Sequence, residues 1–179
     1  ETFDLYQRAM ASTTRVLDLL DTEVGIIEGD VKLNEVSGEL HFRDVEFSYP
    51  GREKVLQGLN LVVPAGQTVG LVGSTGSGKT TLIRLLLRFH DPHSGTVSLD
   101  GHQVSDLTLN SLRASISLVS QNTTLFPGSV LENIRYGNPD APIESVEEAA
   151  RIAEASEFIA LLPNGWHTDI GEGGHRLSG

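Results

Sequence analysis

The sequence predicts an α/β fold: an N-terminal helical linker, an antiparallel β part, a mixed core and a helical subdomain. Three observations predict it. Alternating apolar residues occur over 39–49 and 59–63, the pattern of half-buried antiparallel strands. A short apolar run at 68–72 leads through a glycine-rich stretch into helical sequence. After Gly137 the composition shifts to Ala-rich and Glu-rich segments with helical spacing.

The elements follow in order. Residues 2–21 read as a helix, with Leu5, Ala9, Ser12, Val16 and Leu19 recurring in steps of four and three. Gly25 and Gly29 break that pattern, and a polar linker follows. Leu40 and Phe42 share one face of a strand, and Val45, Phe47 and Tyr49 share the next phase, so a bulge is expected near Arg43 and Asp44. Pro50 and Gly51 end this strand. Leu59, Leu61 and Val63 alternate again before a turn at Pro64 to Gly66. The run 68–72 has the character of a strand buried on both faces. Residues 79–89 read as a helix, and 96–99 and 116–119 as strands. Ser145 and Glu148 have the spacing of a capping box ahead of a helix, and a second short helix is expected over 156–162.

A chain of 179 residues suffices for one domain with an extension. Its 39 % hydrophobic and 21 % charged residues place it among globular proteins. The net charge of −11 opposes binding to nucleic acid, and the three lysines, Lys32, Lys54 and Lys79, form no basic patch. Cysteine is absent, which excludes disulfides, zinc–thiolate sites and cysteine nucleophiles. No run approaches the roughly 20 apolar residues of a membrane span, and no basic-then-apolar leader opens the sequence.

Gly73-Ser74-Thr75-Gly76-Ser77-Gly78-Lys79-Thr80 matches the phosphate-binding loop G-x-x-x-x-G-K-S/T. Each position has a reason. The glycines let backbone N–H groups approach phosphate oxygens with no Cβ in the way. Lys79 brings a mobile positive charge to the β- and γ-phosphates. Thr80 offers a hydroxyl to Mg²⁺. The helix that begins here turns its positive end toward the same anions. A glycine-rich surface loop is the plain alternative, but the apolar run before the motif and the helix after it are what the motif requires.

With these residues the chain resembles the nucleotide-binding domains of ATP-binding cassette (ABC) transporters, of exporter type, built on a P-loop NTPase core. Phe47-Ser48-Tyr49-Pro50 looks like the family's A-loop, whose aromatic residue stacks on adenine. Gln121, at the end of Ser117-Leu118-Val119-Ser120, looks like the Q-loop glutamine, a ligand of Mg²⁺ or of water. Leu125-Phe126 and the segment from Glu132 to Gly137 are similar to the stretch that follows it. Thr168-Asp169-Ile170-Gly171-Glu172-Gly173-Gly174 resembles the X-loop, with Gly173 where many members carry a larger polar residue. Leu177-Ser178-Gly179 looks like the start of the signature L-S-G-G-Q. The opening helix is similar to the link from the last membrane helix.

The resemblance implies three regions: 1–36 as linker, 37–121 as the core with A-loop, P-loop and Q-loop, and 122–179 as the helical subdomain ending in the X-loop and partial signature. It implies ATP and Mg²⁺ as ligands, with Tyr49, residues 73–80, Thr81, Ser178 and Gly179 contacting nucleotide. Thr80 and Gln121 are implied at the metal, and Lys79 and Gln121 as catalytic. It implies a transmembrane domain and a second nucleotide-binding domain, head to tail, as partners, no nucleic acid, and a place on the cytoplasmic face of a membrane. The family's catalytic glutamate and switch histidine follow the signature, so these 179 residues are expected to be nearly inactive as an ATPase. Thr96-Val97-Ser98-Leu99-Asp100 imitates the strand before that glutamate, but Gly101 follows it and it precedes Gln121. His90 and His93 read as a helix end and a turn rather than a metal pair. Three other readings stand beside the exporter: a soluble cassette ATPase, an ATP-sensing regulatory module, and an unrelated phosphate-loop kinase or GTPase.

Overall fold

The computed structural model describes residues 2–22, 25–121 and 123–171. The chain forms two compact units, Glu1–Ser117 and Leu118–Gly179.

The first unit opens with helix α1 (Thr2–Leu20), close to the predicted span. Its stripe packs on nothing described: Tyr6, Val16 and Leu19 are exposed, as is every other described side chain of the helix. The side chains of Leu5 and Ala9 lie outside the described set. A four-stranded antiparallel sheet follows, in the order β2-β1-β3-β4. Its strands are β1 (Leu40–Ser48), β2 (Lys54–Val63), β3 (Ser94–Leu99) and β4 (His102–Gln103). Phe42 of β1 stands opposite Leu61 of β2 and Val97 of β3. The register of β1 against β2 breaks between Phe42 and Val45, where Asp44 takes φ 47°, so the expected bulge is present. Gly95 lies against this bulge, and a Cβ there would fall on the Arg43 and Asp44 carbonyls.

Between β2 and β3 lies α2 (Lys79–Leu86). Thr81, Leu82 and Leu85 form its buried face, with Leu85 wholly enclosed. Leu82 and Leu85 join Phe42, Val45, Phe47, Leu56, Val97 and Leu99 of the sheet in one core. A further helix, α3 (Leu109–Ala114), adds Leu112, and Thr108 caps it by accepting from Ser111 N at 3.2 Å. Arg113 of α3 donates to the Leu87 and Arg88 carbonyls, satisfying acceptors at the end of α2.

Several contacts fasten the linker and the residues after it, among them the Val31 backbone bonded to Asp106 and Thr108 and Leu33 N donating to Ser111 Oγ. The Arg88 guanidinium, 4 % exposed, bonds Asp91 and donates to the Ile27 carbonyl at 2.7 Å. Asp100 and Gly101, with φ of 49° and 81°, make the two-residue turn between β3 and β4, the geometry of a type I′ hairpin. The Asp100 carboxylate then accepts from the backbone N–H groups of Ser37, Gly38 and Glu39 and from the Ser37 hydroxyl. Its oxygens are engaged in fixing residues 37–39.

The second unit contains α4 (Val130–Arg135), α5 (Ile143–Ile152), α6 (Ser156–Leu161) and a 3₁₀ turn (Gly165–His167). Val130, Ala150, Ile159 and Ile170 form its core. Val130 N donates to Thr168 O and Ile170 N to Gly128 O, which ties the segment before Gly171 to the start of α4.

Two expectations are corrected. The runs 68–72 and 116–119 form no strand and belong to no ladder among the described residues. Val72 is 99 % and Val119 92 % exposed. A strand buried on both faces needs hydrogen-bonding neighbours along its edges and cover above and below, and apolar composition alone supplies neither. The capping box also moves. α5 begins at Ile143, ahead of Ser145, and Glu148 instead pairs with Arg151. The reciprocal box is at α4, where Ser129 accepts from Glu132 N and Glu132 accepts from Ser129 N.

The hydrogen bonds on Asp100 yield a stability prediction. Desolvation raises the pKa of this carboxyl, but the bonds from Ser37, Glu39 and Gly38 outweigh it and leave the value below the ordinary one. A folded value lower than the unfolded one stabilises above the unfolded pKa, about 3.9, and that contribution fades as pH falls through the folded value. Asp100→Ala should lower unfolding free energy by about 1–2 kcal/mol in urea titrations at pH 7, the scale of a partly exposed charged hydrogen-bond acceptor. Asp100→Asn should flatten the decline in stability below about pH 4.

Candidate functional site

The site is built on the start of α2. Burial of Leu82 and Leu85 fixes the helix against the sheet and leaves Thr80 exposed. Ahead of it, Ser77 N donates to Ser74 O at 3.2 Å and closes a turn. Gly76 and Gly78 take φ of 85° and 94°, values at which a side chain is strained. Gly78 is also the N-cap, and a Cβ there would stand 2.9 Å from Leu56 Cδ2. A glycine cap brings no side-chain acceptor, and no acidic residue stands in the first turn. The first N–H groups of the helix therefore face outward without an internal acceptor, and the positive end of the helix dipole is uncompensated.

Lys79 completes this arrangement. Its ammonium donates to Gly73 O at 2.7 Å, Ser74 O at 2.8 Å and Ser77 Oγ at 3.3 Å. The cation is thus folded over the same loop whose amides open outward. Carbonyl oxygens are weaker acceptors for an ammonium than phosphate oxygens are. The donor set of loop amides, helix N-terminus and ammonium fits a polyphosphate. The exposed Thr80 hydroxyl is a hard oxygen donor of the kind Mg²⁺ takes alongside phosphates.

Tyr49 lies just past the end of β1, half-buried, in a turn closed by Arg52 N donating to its carbonyl. Its ring meets Phe47 at 5.0 Å and His90 at 5.4 Å, near-perpendicular to each. Its hydroxyl lies 3.3 Å from Thr81 Oγ1 and accepts from Arg84 at 3.1 Å. Burial pushes the phenol pKa up, but the hydrogen bonds of Thr81 and Arg84 and the charges of Arg84 and Arg52 prevail, leaving it below the usual value. Thr81 follows Thr80 on α2, so Tyr49 is tied to the helix that bears the loop.

The first unit brings Tyr49, residues 73–80 and Thr81 together at α2. Gln121 is exposed on the second unit. Ser178 and Gly179 lie outside the described residues, as do Glu172, Gly173, Gly174, His175 and Leu177. Sequence reading missed Arg84 and His90 as neighbours of Tyr49. The signal for Arg84 was its place three residues after Thr81, on one helix face. His90 and His93 make no metal pair: His93 Nε2 bonds the Ser48 hydroxyl and carbonyl, and His90 packs on Tyr49.

Comparison with known proteins follows this geometry. The profile of the ABC transporter family matches residues 56–179. The chain is 47 % identical over 173 residues to ABC transporter B family member 1 of Arabidopsis thaliana, covering 96 % of this chain and 14 % of that protein. It is 46 % identical over 176 residues to the ATP-dependent lipid A-core flippase of Salmonella typhimurium, covering 97 % of this chain and 30 % of that one. Among solved structures, a bacterial Atm1-family ABC exporter with ATP bound superposes with a TM-score of 0.83 at 34 % identity, over 99 % of this chain and 32 % of that chain. The chain thus spans less than a third of the length of each.

Gly78→Ala tests the loop geometry. The substitution forces a side chain into a left-handed conformation and against Leu56, and strain of this kind costs on the order of 1–3 kcal/mol. A lowered melting temperature together with weakened MgATP binding is the expected result. Gly101→Ala in the β3–β4 hairpin, also at positive φ but with open space around its Cβ, should lower stability and leave nucleotide affinity unchanged.

Proposed function

The chain belongs to the ABC transporter family and carries its ATP-binding domain, and we propose that in the whole protein it powers export across a membrane by binding and hydrolysing ATP. The observation that carries this reading is the loop 73–80 at the uncapped start of α2, with Lys79 folded over it. The likeness to an ABC exporter over 99 % of the chain supports the exporter class over a soluble cassette ATPase.

In this reading Lys79 and the loop amides hold the β- and γ-phosphates, and Tyr49 supports the adenine. Base–aromatic stacking contributes about 1–3 kcal/mol in comparable sites. Thr80 offers its hydroxyl to Mg²⁺, which when bound would offset the charge on the phosphates, and Gln121 keeps the Q-loop role that the family resemblance implies. Ser178 and Gly179 serve the nucleotide of a second such domain, arranged head to tail. The transmembrane domain is the partner that the linker region, 1–36, joins. No described helix is long and apolar enough to cross a membrane. The likeness to ABC exporters supports a place for this domain on the cytoplasmic face of a membrane.

Hydrolysis also needs a group that orients or deprotonates water. Neither the Lys79 ammonium nor the Gln121 amide is a base, and Thr80 is given to the metal. The 179 residues alone should therefore turn ATP over about 10²–10⁴-fold more slowly than the complete domain, the usual worth of a placed general base. A steady-state phosphate-release assay comparing the two decides this, and equal rates would refute it.

Binding is tested separately. MgATP titrated calorimetrically into the chain should bind weakly, and Lys79→Ala should weaken it at least about tenfold, the loss of a charge-assisted contact. Indistinguishable curves for the two proteins would remove the basis for the phosphate site.

A further inference from the structure

Arg84 lies on the exposed side of α2, five residues after Lys79. It forms no ion pair with a carboxylate among the described residues. Its guanidinium instead donates through Nη1 to the Tyr49 hydroxyl at 3.1 Å, and its Cζ lies 5.8 Å from the centroid of that ring. It therefore sits at the hydroxyl end of the phenol. The same phenol oxygen lies 3.3 Å from Thr81 Oγ1, a pair in which either hydroxyl can donate. Thr81 is 4 % exposed, and one helical turn separates it from Arg84, so the two reach the same hydroxyl from one face of α2.

The strand gives Tyr49 little hold of its own. β1 ends at Ser48. The following Pro50 and Gly51 form a turn, with Gly51 at φ 70°. Phe47 and His90 confine the ring from the side, but side packing does not fix how far along α2 the hydroxyl end lies. The bonds from Thr81 and Arg84 do. They couple the ring to the helix whose first turn bears Lys79 and Thr80, so one rigid element sets the distance from the phosphate end to the aromatic end.

Resting on the reading of this site as an adenine nucleotide site, we propose that Arg84 is a positioning residue that sets the Tyr49 ring at a fixed distance from the phosphate loop and thereby favours adenine nucleotides over bare polyphosphate. It acts through Tyr49 and makes no contact with the phosphates. A planar, always-charged fork suits this role better than a lysine, because its donors keep their direction relative to the phenol oxygen.

The test uses calorimetric titration of two probes, MgATP and magnesium tripolyphosphate, into the 179-residue chain. Arg84→Gln should raise the Kd for MgATP about three- to tenfold, the size of one exposed charge-assisted hydrogen bond, and leave that for tripolyphosphate unchanged. Arg84→Lys should restore part of the loss. In a Tyr49→Phe background, which lacks the hydroxyl, Arg84→Gln should have little further effect. The proposal is overturned if Arg84→Gln leaves MgATP binding intact. It is equally overturned if both probes weaken together, which would put Arg84 on the phosphates, or if its full effect survives in the Tyr49→Phe background. Lys79→Ala separates this proposal from the site reading beneath it. If that variant binds both probes normally, the site reading and the proposal fall together. If Lys79 matters and Arg84 does not, only the proposal falls.

Discussion

The burial of one short helix face governs the rest of the first unit. Leu82 and Leu85 of α2 are enclosed by apolar residues of the antiparallel sheet. Burying two leucines contributes about 3–6 kcal/mol, enough to hold α2 at one angle. Once that face is fixed, the residues before and around it have little choice. Gly78 must cap the helix in a left-handed conformation beside Leu56, and Lys79 must emerge over the loop. Thr81, on the buried face, must meet the Tyr49 hydroxyl. An exposed, charged loop thus takes its geometry from apolar packing on the opposite side of its helix.

The linker is fastened to the same frame by polar contacts. Arg88 follows α2 and holds the Ile27 carbonyl, while Asp100 leaves β3 and gathers the amides of residues 37–39. The Asp100 carboxylate is met by four donors, and the buried Arg88 guanidinium by Asp91 and the Ile27 carbonyl, so directed bonds offset much of the lost hydration. α1, by contrast, presents its apolar residues to solvent throughout its described length.

The second unit rests on similar economy. Four buried residues, Val130, Ala150, Ile159 and Ile170, form its core, and polar devices supply the remaining order. Ser129 and Glu132 cap α4 reciprocally, and Asn133 bridges the Phe126 backbone and the Ser129 carbonyl. The rings of Phe126 and Tyr136 stack at 4.2 Å. Residues 168–170 pair with the entry to α4 through backbone hydrogen bonds.

What the sequence determined by itself was local. The glycines and lysine of 73–79, the helix after them, the phase slip at Arg43 and Asp44, and the helical span of α1 each depend on neighbours a few residues away. Backbone sterics and periodic burial express such features directly in the order of residues. Tertiary structure decided the rest. Whether 68–72 and 116–119 become strands depends on partners from elsewhere in the fold, and their apolar composition cannot supply the missing hydrogen bonds. Ser129 rather than Ser145 caps a helix because packing of Val130 and Val146 sets where α4 and α5 begin. Arg84 meets Tyr49 only because burial of α2 turns both toward one point, a meeting across 35 residues of chain that local pattern cannot encode.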